Sequence, residues 1–102
     1  MQYFVFRQDK PGAHDLRLKT RPAHMAYAEQ LGDKLLFAGP AMDDDGNMVA
    51  SVWIVEAESR AAAEAITAAD PYEQADLFET KIVRRFAKTA GPDMFPQAAD
   101  SL

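Results

Sequence analysis

The sequence predicts an α+β domain in the ferredoxin-like arrangement, βαββαβ with an antiparallel four-stranded sheet. Three observations carry this. Stretches rich in β-branched and aromatic residues alternate with helically spaced ones in the order strand, helix, strand, strand, helix, strand. The middle two strands flank Asp45-Gly46, a hairpin turn signal. Glycine or proline closes most of the elements, at Gly32, Gly39-Pro40 and Pro71.

Residues 2–8, through Tyr3-Phe4-Val5-Phe6, are apolar on both parities and read as a strand buried on both faces. Residues 9–19 carry Pro11, Gly12 and several charges and read as a loop. Thr20 then caps a helix with Pro22 in its first turn, where a missing N–H costs nothing. That helix runs to about Gly32 and turns His24, Tyr27, Ala28 and Leu31 inward, with His24 at its N-terminal end. Lys34 to Ala38 is the second strand, stopped by Gly39-Pro40, and Met48 to Val55 is the third. Ser59 caps a second helix, Arg60 to Ala69, with a thin stripe of Ala62, Ala65, Ile66 and Ala69. Pro71 ends it, since the residue before a proline leaves the helical region. The last strand spans Leu77 to Phe86, with Phe78, Ile82 and Phe86 on one parity. One domain therefore takes residues 1–88, and residues 89–102 form an irregular tail.

Composition narrows the function classes. A chain of 102 residues with 48% hydrophobic and 26% charged residues is ordinary globular material, large enough for a core without staples. It has no cysteine, so disulfides, thiolate metal sites and a thiol nucleophile are out, and a cytoplasmic location is expected. The formal net charge of −5 argues against sequence-independent nucleic-acid binding and against anionic membranes. No apolar run approaches the roughly 18 residues of a membrane span. Strands apolar on both parities leave one sheet face needing cover, and a second copy of the chain is the expected cover. The expected partner is thus a homodimer mate, packed through the sheet face.

Chain direction points to a site. In this topology the start of the first helix, the end of the second and the end of the second strand share one rim. That rim gathers Arg21, His24, Gly39, Pro40 and Asp70. Asp70, read as following a helix C-terminus, sits poorly with the helix dipole, and His24 or Arg21 would relieve it. A histidine oriented by a carboxylate suits general acid–base catalysis. The competing reading is a structural tie between two helix ends.

The segments Arg21-Pro22-Ala23-His24, Ala38-Gly39-Pro40, Ser51, Ala69-Asp70-Pro71-Tyr72 and Val83-Arg84-Arg85-Phe86-Ala87-Lys88 resemble the YciI-like (YCII-related domain) family. The resemblance covers residues 1 to about 88. It implies a dimeric α+β barrel type of ferredoxin-like fold and an active site on a His–Asp pair, here His24 and Asp70. Some relatives are dehydrochlorinases of chlorinated hydroxyquinols, so it also implies acid–base lyase or isomerase chemistry on a small aromatic or anionic metabolite. Catalytic residues are then His24 and Asp70, with Arg21, Gly39, Pro40, Ser51 and Tyr27 contacting substrate. The chain departs from the family in having Ala50 before Ser51 and a short hairpin between Pro40 and Met48.

No cofactor and no functional metal are expected. Asp43-Asp44-Asp45-Gly46 fails the calcium-loop test, because Ala41 and Val52 would occupy positions that require acids. His14 has no ligand spacing, and the glycines make no phosphate fingerprint. Lys81, Arg84 and Arg85 read as exposed edge charges. The alternative function is a non-catalytic small-molecule-binding or accessory dimerisation domain. An open pocket beside His24 would favour chemistry or binding over a purely structural role.

Overall fold

The computed structural model describes residues 1–91; the rest of the expected tail, residues 92–102, lies outside the described residues. Four strands, β1 (Gln2–Asp9), β2 (Leu35–Met42), β3 (Met48–Glu56) and β4 (Phe78–Phe86), form one sheet in the order β2-β3-β1-β4. Every pairing is antiparallel. Three helices, α1 (His14–Leu31), α2 (Arg60–Ala68) and the single-turn α3 (Pro71–Gln74), complete the ferredoxin-like α+β fold.

The core lies between the helices and one sheet face. Tyr3, Val5, Trp53, Val55 and Val83 are buried there with Ala63, and Tyr27, Ala28, Leu31 and Ile66 pack onto them. Along β1 the burial alternates, so Tyr3, Val5, Arg7 and Asp9 lie under the helices. Phe4 and Phe6, half-buried, occupy the opposite face, as do Ile54 opposite Phe4 and Ile82 opposite Phe6. The two-sided apolarity of β1 therefore resolves into one covered and one open face.

Several element boundaries differ from expectation. Helix α1 begins at His14 and not after Thr20, which makes Pro22 an interior residue. Pro22 cannot donate to the Leu18 carbonyl, but both residues are exposed, so water can satisfy that oxygen. The extra turns were hidden because their buried residue is Arg17, a charge where a stripe needs an apolar side chain. Strand β2 runs through Gly39-Pro40 to Met42, since β2 is an edge strand and an edge tolerates proline. In α2, capped by Ser59 accepting from the Ala62 N–H at 3.1 Å, the buried residues are Ala63 and Thr67, while Ala65 and Ala69 are exposed. The Asp-Gly hairpin holds: Asp43 accepts from the backbone N–H groups of Asp45 and Asn47. Phe78 leaves the parity of Ile82 and Phe86, because a register shift between Gln8 and Asp9 turns it towards Arg7 and Tyr72.

Candidate functional site

The cavity begins with α1. Seven residues separate Arg17 from His24, two helical turns, so both are buried on the face that meets the sheet. The end of β2 and the start of β3 supply the facing wall, with Gly39, Pro40, Ser51 and Trp53. Together with Arg21, Met25 and Tyr72 these residues enclose a cavity of about 150 Å³. Of the residues expected from sequence, Arg21, His24, Gly39, Pro40 and Ser51 line it.

Asp70 stands behind the cavity, fully buried, and its Oδ1 lies 2.8 Å from Nδ1 of His24. The same oxygen accepts the Tyr72 backbone N–H at 2.9 Å, capping α3. The expected dipole penalty is therefore corrected: Asp70 is an N-cap, where a carboxylate is favoured. His24 is also mid-helix, so it does not feel the positive end of α1. The cation beside Asp70 is Arg7, whose Nη1 lies 2.9 Å from Oδ2, and not Arg21.

Nδ1 faces the carboxylate; a neutral imidazole so placed donates from Nδ1 and keeps Nε2 as its free nitrogen. Its ring stacks on Tyr72, centroids 3.8 Å apart and 16° from parallel, and lies 5.5 Å from the Trp53 ring. The imidazole is thus held on its faces and at one nitrogen.

Arg17 forms the second fixed point. Its Nε and Nη2 donate to both oxygens of Asp9 at 2.7 and 2.8 Å, and Nη2 also donates to Ser51 Oγ at 2.9 Å. Burial works against the Arg17 charge, but the Asp9 bond and its charge outweigh it and hold the guanidinium above its ordinary range. Ser51 is left with its hydroxyl hydrogen to offer. Arg21 makes no ion pair among the described residues, so it is the uncompensated cation of the cavity. Burial pushes the Tyr72 phenol up, against the pull of Arg17 and Arg21, so it remains a neutral hydroxyl.

Tyr27 is a correction. Its hydroxyl donates to the Ile66 carbonyl at 2.5 Å, joining α1 to α2, and it does not line the cavity. Lys81 is another, since it donates to Glu73 Oε1 at 2.9 Å instead of standing free at the edge. Sequence reasoning missed Arg7, Asp9, Arg17, Trp53 and Tyr72 as parts of the site. The seven-residue step from Arg17 to His24 was the available signal for one of them. Among the described residues, no three His, Asp or Glu side chains are placed to hold a metal.

The YCII-related domain model matches residues 1–87. The chain belongs to this family. It is similar to protein YciI of Escherichia coli, 40% identical over 96 residues that span 86% of this chain and 98% of that one. Among solved structures it resembles the 5-chloro-2-hydroxyhydroquinone dehydrochlorinase TftG of Burkholderia phenoliruptrix, in complex with 2,5-dihydroxybenzoquinone. That likeness has a TM-score of 0.80 at 34% identity, over 87% of this chain and 96% of the other. A NIPSNAP family protein of Agrobacterium tumefaciens shares the fold at a TM-score of 0.54 and 20% identity, over 86% and 91% of the two chains.

Proposed function

We propose that this YCII-family chain is a small enzyme that performs acid–base chemistry, of lyase, isomerase or dehydrochlorinase type, on a single-ring phenolic or anionic metabolite. The observation that carries this is the 2.8 Å contact between Asp70 and His24 Nδ1 at the wall of a cavity rimmed by Arg21, which has no ion pair among the described residues. His24 Nε2 moves the proton, and Asp70 fixes the tautomer without touching substrate. Arg21 draws the anionic group, and the Ser51 hydroxyl donates a hydrogen bond. Cavities of about 150 Å³ hold a benzene ring in other proteins, so the size suits one substituted ring. Trp53 and Tyr72 give the lining its aromatic part.

For a chlorinated hydroxyquinol, the class named for the dehydrochlorinase relative, the balance is simple. The proton of the hydroxyl next to chlorine first moves to the chlorine-bearing carbon, giving a keto tautomer. Nε2 then takes the proton of the hydroxyl para to that new carbonyl as chloride leaves with its bonding pair, and a hydroxyquinone remains. No oxidant or reductant is needed. The working form is proposed to be a homodimer joined through the open sheet face, where Phe4, Phe6, Ile54 and Ile82 lie.

Chloride release from 5-chloro-2-hydroxyhydroquinone, and proton exchange in a panel of hydroxyquinols, test the proposal. His24→Gln is expected to cut turnover by about 10²- to 10⁴-fold, the usual worth of a positioned acid–base group. Turnover unchanged in His24→Gln rejects the assignment. Saturable binding with no turnover of any panel member would favour the binding-domain reading instead.

A further inference from the structure

Arg7 lies behind the cavity, and the acid–base scheme gives it no task. Its side chain is completely buried, with the guanidinium 4.6 Å from the Trp53 ring and 4.7 Å from the Phe78 ring. Nη1 lies 2.9 Å from Oδ2 of Asp70 and 2.9 Å from Oε2 of Glu73, and its hydrogen bond goes to Glu73. Nε and Nη2 find no acceptor among the described residues, and Asp70 Oδ2 receives no hydrogen bond.

Packing does not account for this residue. Burying a cation with two donors unused is costly, and an apolar side chain of similar volume often serves a core equally well or better. An apolar residue could also lie between Trp53 and Phe78. What it could not supply is a positive charge beside the carboxylate that holds His24. The groups around that carboxylate come from every neighbouring element: His24 from α1, Arg7 from β1, Glu73 from α3, and Lys81 from β4 one step further out. Glu73, itself held by Lys81, accepts from the same Nη1 that faces Asp70 and so fixes the guanidinium beside it.

We propose that Arg7 is a positioning residue of the His24–Asp70 pair: it holds the Asp70 carboxylate as the fixed acceptor of His24 Nδ1, which keeps Nε2 open to the cavity. This rests on the acid–base reading of that pair.

Nitrogen-15 spectra of the imidazoles report which ring nitrogen carries the proton, and the exposed His14 serves as an internal reference. Wild-type protein should show His24 as one Nδ1–H form. A wild-type mixture of tautomers would overturn the pair itself, and Arg7's part with it. In Arg7→Met the single form should give way to a mixture of Nδ1–H and Nε2–H, and Arg7→Lys should restore the wild-type pattern. A folded Arg7→Met protein with the wild-type His24 pattern overturns the proposal while leaving the pair intact. The coupling is also read from the other side, in case Arg7→Met does not fold. Asp70→Asn keeps both volume and cap, and there the Arg7 guanidinium signals should shift and broaden. Arg7 signals unchanged by Asp70→Asn overturn the proposal.

Discussion

Under the helices, the sheet buries Arg7, Asp9, Arg17, His24, Ser51 and Asp70. On the other side of the same four strands, Ile82 is 43% exposed and Phe37 61% exposed. The usual distribution is partly inverted: ionised groups inside, large apolar ones outside. The inward charges are paired through short contacts, Arg17 with Asp9 and Arg7 with Asp70, as burial of charge requires. The outward apolar residues have no such local compensation, and a second copy of the chain is the cover we propose. Each face suits the partner we propose for it, a small ligand on one side and a flat apolar surface on the other.

The largest expected effect breaks the buried side. Asp70→Ala leaves Arg7 and His24 facing an uncompensated gap and should cost about 3–5 kcal/mol in denaturant unfolding, the usual result of removing one partner of a buried ion pair. A loss below about 1 kcal/mol would mean that the contact is slack. On the open side, Ile82→Lys places a charge in the middle of the proposed interface. Sedimentation should then fall from twice the chain mass to 11.3 kDa, with the fold of each chain retained. An assembly state unaltered by Ile82→Lys would remove the sheet face as the interface.

Smaller effects sharpen the same contrast. Arg21 is exposed at the rim and carries no core packing, so Arg21→Ala should leave unfolding within about 0.5 kcal/mol of wild type. The same change should weaken binding of 2,5-dihydroxybenzoquinone by about 10- to 100-fold, the worth of one hydrogen bond to a charged group. Equal affinity in both proteins would take Arg21 out of the site. The smallest effect belongs to the hairpin tip, away from both faces. There the Asn47 backbone N–H, ahead of its side chain, holds the Asp43 carboxyl below the ordinary range. A carboxyl lowered by folding contributes stability above its unfolded value and loses it as pH falls through the folded one. Asp43→Ala should therefore lower the melting temperature slightly at neutral pH, and the two melting curves should converge below about pH 4. A difference that persists in acid would show that the Asp43 charge is not its source.

The strand order and the open face were legible because apolar patterning records which surfaces leave water. Tyr3 and Val5 alternate with Phe4 and Phe6, and Ser59 and Asp45-Gly46 mark a cap and a turn by local chemistry alone. The two unexpected turns at the start of α1 have a different origin. Its buried residue there is Arg17, and burial of that charge is decided by Asp9 and Ser51, which lie on other elements, β1 and β3. Gly39-Pro40 misled in a similar way, since only the edge position of β2 makes proline acceptable. At the site, His24 and Asp70 could be paired from chain direction. Arg7 could not, because a cation between two aromatic rings leaves no trace in a one-dimensional pattern.

The central claim is that the buried ion network serves proton chemistry at His24 Nε2. The most direct test follows the His24 ring nitrogens while 2,5-dihydroxybenzoquinone is added to saturation. The account predicts that Nε2 shifts with the binding isotherm, that Nδ1 stays protonated against Asp70, and that His14 does not respond. Saturable binding that leaves both His24 nitrogens unmoved would contradict it.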